Sequence, residues 1–323
     1  MNETQDAFVA RRRPDWDALA AVLAGGRAWH RLPGASISRA AGLYRSVAAD
    51  LMRAQSAGYG PELIALLDGL AARAHAALYS APPHRLAAIG DLLLRDFPCT
   101  VRRYWRFMAF AAVLFALPGV VGFAGARRSR GFPLSVLPEA MVEQMEKGYA
   151  HPLDEGRGAR TNVLMAGFYV HNNVGIAFRC FATGILFGLG SVFFLVYNGL
   201  TIGTVAGLVT AAGSGGNLLT FVSGHGAFEL TAIVISGGAG MVTGYALVAT
   251  GGLTRFASLR RRARDIANLI LGAALMLLIA AGLEGFWSPS PVPGTVKLVV
   301  AGALWIAVAS YLALAGRDAG RAA

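Results

Sequence analysis

Ionisable and amide side chains stand inside runs of apolar sequence, where chemistry is expensive to maintain. His171, Asn172 and Asn173 open one run and Arg179 follows within it. Asn198 lies in the next, His225 and Glu229 in a third, and Glu284 at the end of a fourth. A buried charge in hydrocarbon is costly unless paired or hydrated, so Arg179, Glu229 and Glu284 are expected to face a bundle interior, a cavity or the interface. His225 and Glu229 are four residues apart, one helical turn, which puts them on a shared face. The set fits a structural hydrogen-bond network or a pathway for an ion or polar solute. A metal site drawing on His225, Glu229, His171 and Glu284 is the weakest fit, because HGAFE lacks the two-histidine HExxH arrangement, and no metal is predicted. For Arg179 the plainer roles are compensation of Glu229 or Glu284, or snorkelling to an interface. For Asn172, Asn173 and Asn198 they are hydrogen bonds between helices, with Asn173 also placed to cap a helix. No serine or cysteine pairing predicts a nucleophile, so no catalytic residue and no cofactor are assigned and a non-enzymatic role is favoured.

The elements that must position these groups are membrane helices. Of 323 residues 55% are hydrophobic and only 15% charged, with 41 glycines, which excludes a soluble protein's surface for most of the chain. Six spans are expected, near residues 107–125, 168–190, 193–211, 232–250, 266–285 and 296–315. A short broken segment through SGHGAFELTA precedes the fourth. The division near Gly190 splits an apolar region too long for one span, and a single long span over 168–211 is the alternative. Pro118 is placed to kink the first span. Residues 126–165 form a polar loop in which the stretch from Pro133 to Tyr149 reads as an amphipathic helix, on the membrane or capping the bundle. The fold class is therefore all-α: a polytopic membrane bundle over 107–316, an N-terminal helical domain over 1–106, and a short tail over 317–323.

Charge sets the expected orientation. The formal net charge is +11. Residues 1–106 hold 14 Arg and nine Asp or Glu, and a second basic cluster, Arg255, Arg260, Arg261, Arg262 and Arg264, is read as a loop between the fourth and fifth spans. Both should face the cytoplasm, which requires an even number of crossings between them, and the C-terminus with Arg317 and Arg321 returns to the same side. Arg127, Arg128 and Arg130 oppose this trend, since they fall outside. The N-terminal domain reads as three or four helices: one beginning at Pro14, Asp15 and Trp16, one capped by Ser36, one with Pro61 in its first turn, and a pattern over residues 84–97. Its arginines alternate with acids and match no recognition motif, so lipid headgroups are favoured as partners and nucleic acid is excluded.

Glycines form a second pattern. Gly184 and Gly188, then Gly199 and Gly203, repeat the small-xxx-small spacing on which helices approach closely, and Gly237 begins a further smooth surface. Gly226 sits inside HGAFE. Compact packing is the plain reading, and hinges of a moving transporter the sharper one.

The ordered combination HNNVGIAFRCFATGILFGLGSVFFLVYNGLTIG from His171, SGHGAFELTAIVISGGAG from Ser223 and LIAAGLEGFWSP from Leu278 resembles the stage II sporulation protein M family of bacterial membrane proteins. The resemblance covers roughly residues 100–315, and its motif positions are Asn172, Asn173, Asn198, Gly199, His225, Gly226, Glu229 and Glu284. It implies a multi-pass protein of the bacterial inner membrane. The sporulation member is similar to an anchor or scaffold for cell-wall remodelling proteins, and many relatives look like general envelope proteins. The leading expectation is therefore a membrane scaffold that organises envelope or cell-wall remodelling proteins. Membrane lipids, further copies of the chain, and envelope or cytoplasmic proteins would be its partners. The alternative is a transporter or channel for an ion or small polar solute that uses the Asn/His/Glu/Arg cluster.

Overall fold

The computed structural model describes residues 3–24, 34–79, 89–150 and 159–317, and every regular element among them is helical. Contacts divide the chain into two compact units, Met1–Arg85 and Leu86–Ala323.

The first unit packs three described helices, Gln5–Ala24 (α1), Gly34–Ser56 (α2) and Pro61–Tyr79 (α3). Apolar residues at helical spacing supply its core: Phe8, Trp16 and Leu19 from α1, Ala40, Val47 and Ala54 from α2, and Leu63, Leu67, Leu70 and Ala74 from α3. The helix expected to begin at Pro14 begins instead at Gln5 and runs through that proline. Burial of both Phe8 and Trp16 on one face explains this, since it holds together two turns that Pro14 alone would separate. One buried carboxylate fixes the α1–α2 pairing. Asp50 accepts hydrogen bonds from Arg12 Nε at 2.8 Å and Trp16 Nε1 at 2.9 Å. Pro61 opens α3 as expected, with Glu62 in its first turn. Of the pattern over residues 84–97, residues 84–88 lie outside the described residues.

The second unit begins before the first span rather than at it. A π-helical turn, Leu92–Asp96, leads into Phe97–Arg103 (α4), and the first apolar helix is Trp105–Arg128 (α5), with Pro118 inside it. Two short helices follow, Phe132–Val136 (α6) and Glu139–Tyr149 (α7), separated at Pro138 where one amphipathic helix was expected. Then come Ala159–Ala182 (α8), Leu189–Ala211 (α9), Gly215–Val248 (α10), Arg255–Gly282 (α11) and Gly294–Leu314 (α12).

Among the described residues five helices are long and apolar enough to cross a membrane: α5, α9, α10, α11 with its terminal turn, and α12. The protein is thus an all-α polytopic membrane bundle with further helices at its N-terminus. The more polar α8 is also part of the bundle, and helix direction shows why. A Cβ at Gly199, Gly203 or Gly207 of α9 would lie 2.1, 2.0 or 2.4 Å from the carbonyl oxygens of Phe115, Gly119 and Phe123 of α5. Both sets rise in steps of four, so α5 and α9 run parallel with their backbones touching, a packing that only glycine permits. Two parallel helices require a return between them, and α8 is that return.

The division between α8 and α9 falls at a short 3₁₀ turn, Thr183–Ile185, and at Gly188, whose φ of +87° suits the reversal, earlier than the expected break near Gly190. Gly184 and Gly188 therefore do not share a helix. They carry the reversal against α10 instead: a Cβ on Gly184 would meet the Gly240 carbonyl at 2.2 Å, and one on Gly244 would meet the Gly188 nitrogen at 2.1 Å.

Two elements are longer than expected. The broken segment is absent: α10 is one continuous helix of 34 residues. At ~1.5 Å per residue it extends about 51 Å, beyond the roughly 30 Å of hydrocarbon. The basic stretch 255–264 is not a loop but the first turns of α11, started by Thr254, whose hydroxyl accepts from the Ala257 amide at 3.2 Å. The end of this stretch meets α4, and α4 in turn meets the end of α12. Arg103 pairs with Asp265 at 2.9 Å, Tyr104 donates to the same carboxylate at 3.0 Å, and Arg102 donates to the Leu312 and Ala315 carbonyls at 2.7 and 2.6 Å. Arg102 thus caps α12 at the end where its dipole is negative. Arg103 and Asp265 sit together, so the chain before α5 and the start of α11 meet at one end of the bundle.

Candidate functional site

Away from the arginine-rich end, α8, α10 and the end of α11 enclose a polar cluster. His225 and Glu229 occupy successive turns of α10, with His225 Nε2 and Glu229 Oε2 3.8 Å apart. Glu284 comes from a π-helical turn, Leu283–Trp287, that closes α11. Such widened turns interrupt the regular register and recur at functional sites. One ligand atom from each of His225, Glu229 and Glu284 falls within 4.8 Å of the other two. Asn173 of α8 completes the group, its Nδ2 donating to Glu284 Oε2 at 3.4 Å. Asn173, His225 and Glu284 are buried, and the Glu229 side chain keeps 15% of its exposure.

Local sequence explains the convergence. Gly224 admits the Trp287 indole, whose Cδ1 would lie 2.8 Å from a Cβ there, so the end of α11 approaches α10 beside His225. The His225 ring is fixed on its other side by Ser288, with Nδ1 and Oγ 3.1 Å apart, and packs edge-on to Phe221 at 5.6 Å. Ser288 is held in turn: its amide donates to the Leu283 carbonyl at 2.8 Å, and its carbonyl accepts from Lys297 Nζ at 2.7 Å. Lys297 also donates to Ser290 at 2.8 Å and is 3% exposed. The α7 end lies over α10 nearby, Asn217 Nδ2 donating to the Tyr149 carbonyl at 3.0 Å.

The sequence-predicted residues separate into three places. Asn173, His225, Glu229 and Glu284 meet. Asn172 is exposed and donates to Asn173 Oδ1 at 3.0 Å, at the margin of the cluster, with His171 exposed beside it. Arg179 and Asn198 are elsewhere. Arg179 is exposed near the α8–α9 reversal, its Nε donating to the Gly175 carbonyl at 3.0 Å, and among the described residues it pairs with neither Glu229 nor Glu284. Asn198 is buried in the α9 seam, donating to the Phe194 carbonyl at 2.6 Å beside Cys180. Among the packing glycines, Gly199, Gly203 and Gly237 meet neighbouring helices closely. Gly226 is buried, but its nearest neighbour for a Cβ is Val222 of its own helix at 3.6 Å. Sequence reasoning missed Lys297 and Ser288. The signal was present, since Lys297 is one of only two lysines in the chain and stands in an apolar run.

A charged and amide cluster enclosed by apolar helices defines a class: a multi-pass inner-membrane helical protein with a polar centre inside its bundle. Residues 111–289 match the family described as Stage II sporulation protein M, more than half of the chain, and the protein belongs to that family of cell-envelope membrane proteins. The matched segment contains Asn173, His225, Glu229, Glu284 and Ser288. Residues 6–80 match a domain of unknown function, DUF8413. An uncharacterized protein of Methanocaldococcus jannaschii is similar at 28% identity over 120 residues, 36% of this chain and 67% of that protein. No solved structure matches.

Proposed function

We propose that the bundle moves or gates an ion or small polar solute, with Asn173, His225, Glu229 and Glu284 as the groups that engage it. The observation that carries this reading is the convergence of two carboxylates and an imidazole, from α10 and the end of α11, inside a membrane bundle. Ionisable groups at such depth persist where they pair or where they serve a path. His225 lies ten residues into α10, about 15 Å along the helix axis from its start. The test is flux of protons and of mono- and divalent cations into proteoliposomes. Glu229→Gln is expected to remain folded and to change flux or its pH dependence, and equal flux in the two proteins would reject an essential carboxylate.

Family membership favours a second reading, a scaffold or anchor for envelope or cell-wall remodelling proteins, with the α1–α3 unit as the recruiting element. Deleting residues 1–85 would then abolish partner capture while the bundle still inserts, and undiminished capture would reject that role. In both readings we place the arginine-rich end, and with it both termini, in the cytoplasm, on the positive-inside trend. Reporter fusions at residues 1 and 323 test the assignment.

A further inference from the structure

We infer that His225, Glu229 and Glu284 form a binding site for a divalent transition-metal cation of the zinc class. The inference deepens the reading that this cluster engages a cation, and it does not require that the cation be transported.

Charge is the first argument. Ionising either of two carboxylates this close makes ionising the other more costly, and a cation bound between them offsets that repulsion.

Distance is the second argument. Zinc binds imidazole nitrogen and carboxylate oxygen at about 2.0–2.2 Å, which puts ligand atoms around a tetrahedral ion about 3.3–3.6 Å apart. The three ligand atoms already lie within 4.8 Å of one another, with His225 Nε2 and Glu229 Oε2 at 3.8 Å, so binding asks each side chain to move by about an ångström or less. The 3.8 Å from His225 Nε2 to Glu229 Oε2 is too long for a hydrogen bond and suits two groups on one ion.

The surroundings are built for the same task. Ser288 on Nδ1 leaves Nε2 as the nitrogen turned to the carboxylates, and a partner of this kind fixes the tautomer and aim of a metal-binding histidine. Asn173 holds Glu284 from α8. Lys297 positions Ser288 by binding the carbonyls of Ser288 and Ser290.

The ligand types select the metal class. One nitrogen with carboxylates suits zinc, manganese or iron, whereas magnesium and calcium prefer oxygen alone and copper(I) prefers sulfur. Cys180 lies at the Asn198 seam, away from these ligands. Three protein ligands leave a fourth position for water or a solute.

The test uses full-length, tag-free protein in lipid nanodiscs, stripped with chelator and then offered Zn2+, Mn2+ or Mg2+. Elemental analysis after desalting is expected to find a single Zn2+ per chain, with Mg2+ neither retained nor competing. His225→Gln and Glu284→Gln are expected to lose that ion, while Glu139→Gln, on exposed α7, keeps it. Ser288→Ala, at a positioning residue, is expected to keep the stoichiometry with roughly tenfold weaker affinity, because it removes only the group that aims the ring. X-ray absorption of the wild-type zinc complex is expected to show imidazole and oxygen ligands without sulfur, a result that holds even where a variant fails to fold. Folded wild type that retains no zinc, sulfur in the ligand shell, or full retention by both His225→Gln and Glu284→Gln would overturn the inference. Proton flux without metal binding would also sink it and leave transport standing, whereas zinc binding without flux of any ion would sink transport and leave the site.

Discussion

The α5–α9 seam and the α8–α10–α11 cluster solve the same problem, bringing helices together inside a membrane, by opposite means. Along the seam, Gly199, Gly203 and Gly207 remove side chains until backbone meets backbone, and geometry alone specifies the pairing. At the cluster, helices meet through side chains that are costly to bury, although apolar contacts would have sufficed to pack them. Packing explains the seam, while the cluster is where we propose that a ligand, a proton or a path is engaged. A buried charge that only holds structure looks different again. In the N-terminal unit, Asp50 has Arg12 and Trp16 at hydrogen-bonding distance, whereas His225 and Glu229 stand 3.8 Å apart.

This contrast orders the expected effects of substitution on the folded protein. Gly203→Leu is expected to have the largest, since its Cβ alone would sit 2.0 Å from the Gly119 carbonyl oxygen. Overpacking of this kind costs about 1–3 kcal/mol or more, and monodisperse yield in size-exclusion chromatography should collapse. Gly226→Ala, with its nearest neighbour at 3.6 Å, should leave yield unchanged, and equal yields for the two variants would break the account of the seam. Asp50→Ala comes next, because it takes the acceptor from the buried Trp16 indole and one of three partners from Arg12, which keeps Asp15 and Ser46. A loss of roughly 2–3 kcal/mol is expected, read as faster amide exchange in α1 and α2. Glu229→Gln keeps the shape of its side chain and is expected to preserve yield while altering flux. A collapse of yield like that of Gly203→Leu would assign the cluster to structure.

The smallest effect lies at the arginine-rich end. Burial, and then its hydrogen bond to Asp265, pushes the Tyr104 phenol above its ordinary range. With the folded-state value raised, its contribution is complete below about pH 10, the unfolded value, and is lost as pH rises through the folded one. Tyr104→Phe is expected to flatten this alkaline limb of a stability–pH curve, and an unchanged limb would remove Tyr104 as its source.

Much of this was legible in the sequence. Apolar runs, the arginine clusters and the motifs HNN, HGAFE and EGFWSP pointed to the helical class, the family resemblance and the residues that now meet. What was not legible depended on tertiary contact. The stretch SGHGAFELTA read as a short broken segment, yet α10 is continuous there, since packing against Trp287 and the neighbouring helices outweighs the weak helix propensity of its glycines. Residues 255–264 read as a loop because their charges suggested solvent, but solvated arginines are good helix formers, and Thr254 starts the helix before them. Arg179 and Asn198 share the composition of the cluster but not its face or depth. No local pattern distinguishes a polar residue at a seam from one at a centre, because that depends on which helices are neighbours.

The central claim is that Asn173, His225, Glu229 and Glu284 surround something other than one another. The most direct measurement is a high-resolution cryo-EM map of the full-length protein in lipid nanodiscs, prepared with and without added Zn2+. The account predicts density between His225 Nε2 and the two carboxylates, within reach of water from one membrane face. A dry centre in which Glu229 and Glu284 are fully satisfied by protein groups, with no density between them in either sample, would contradict it.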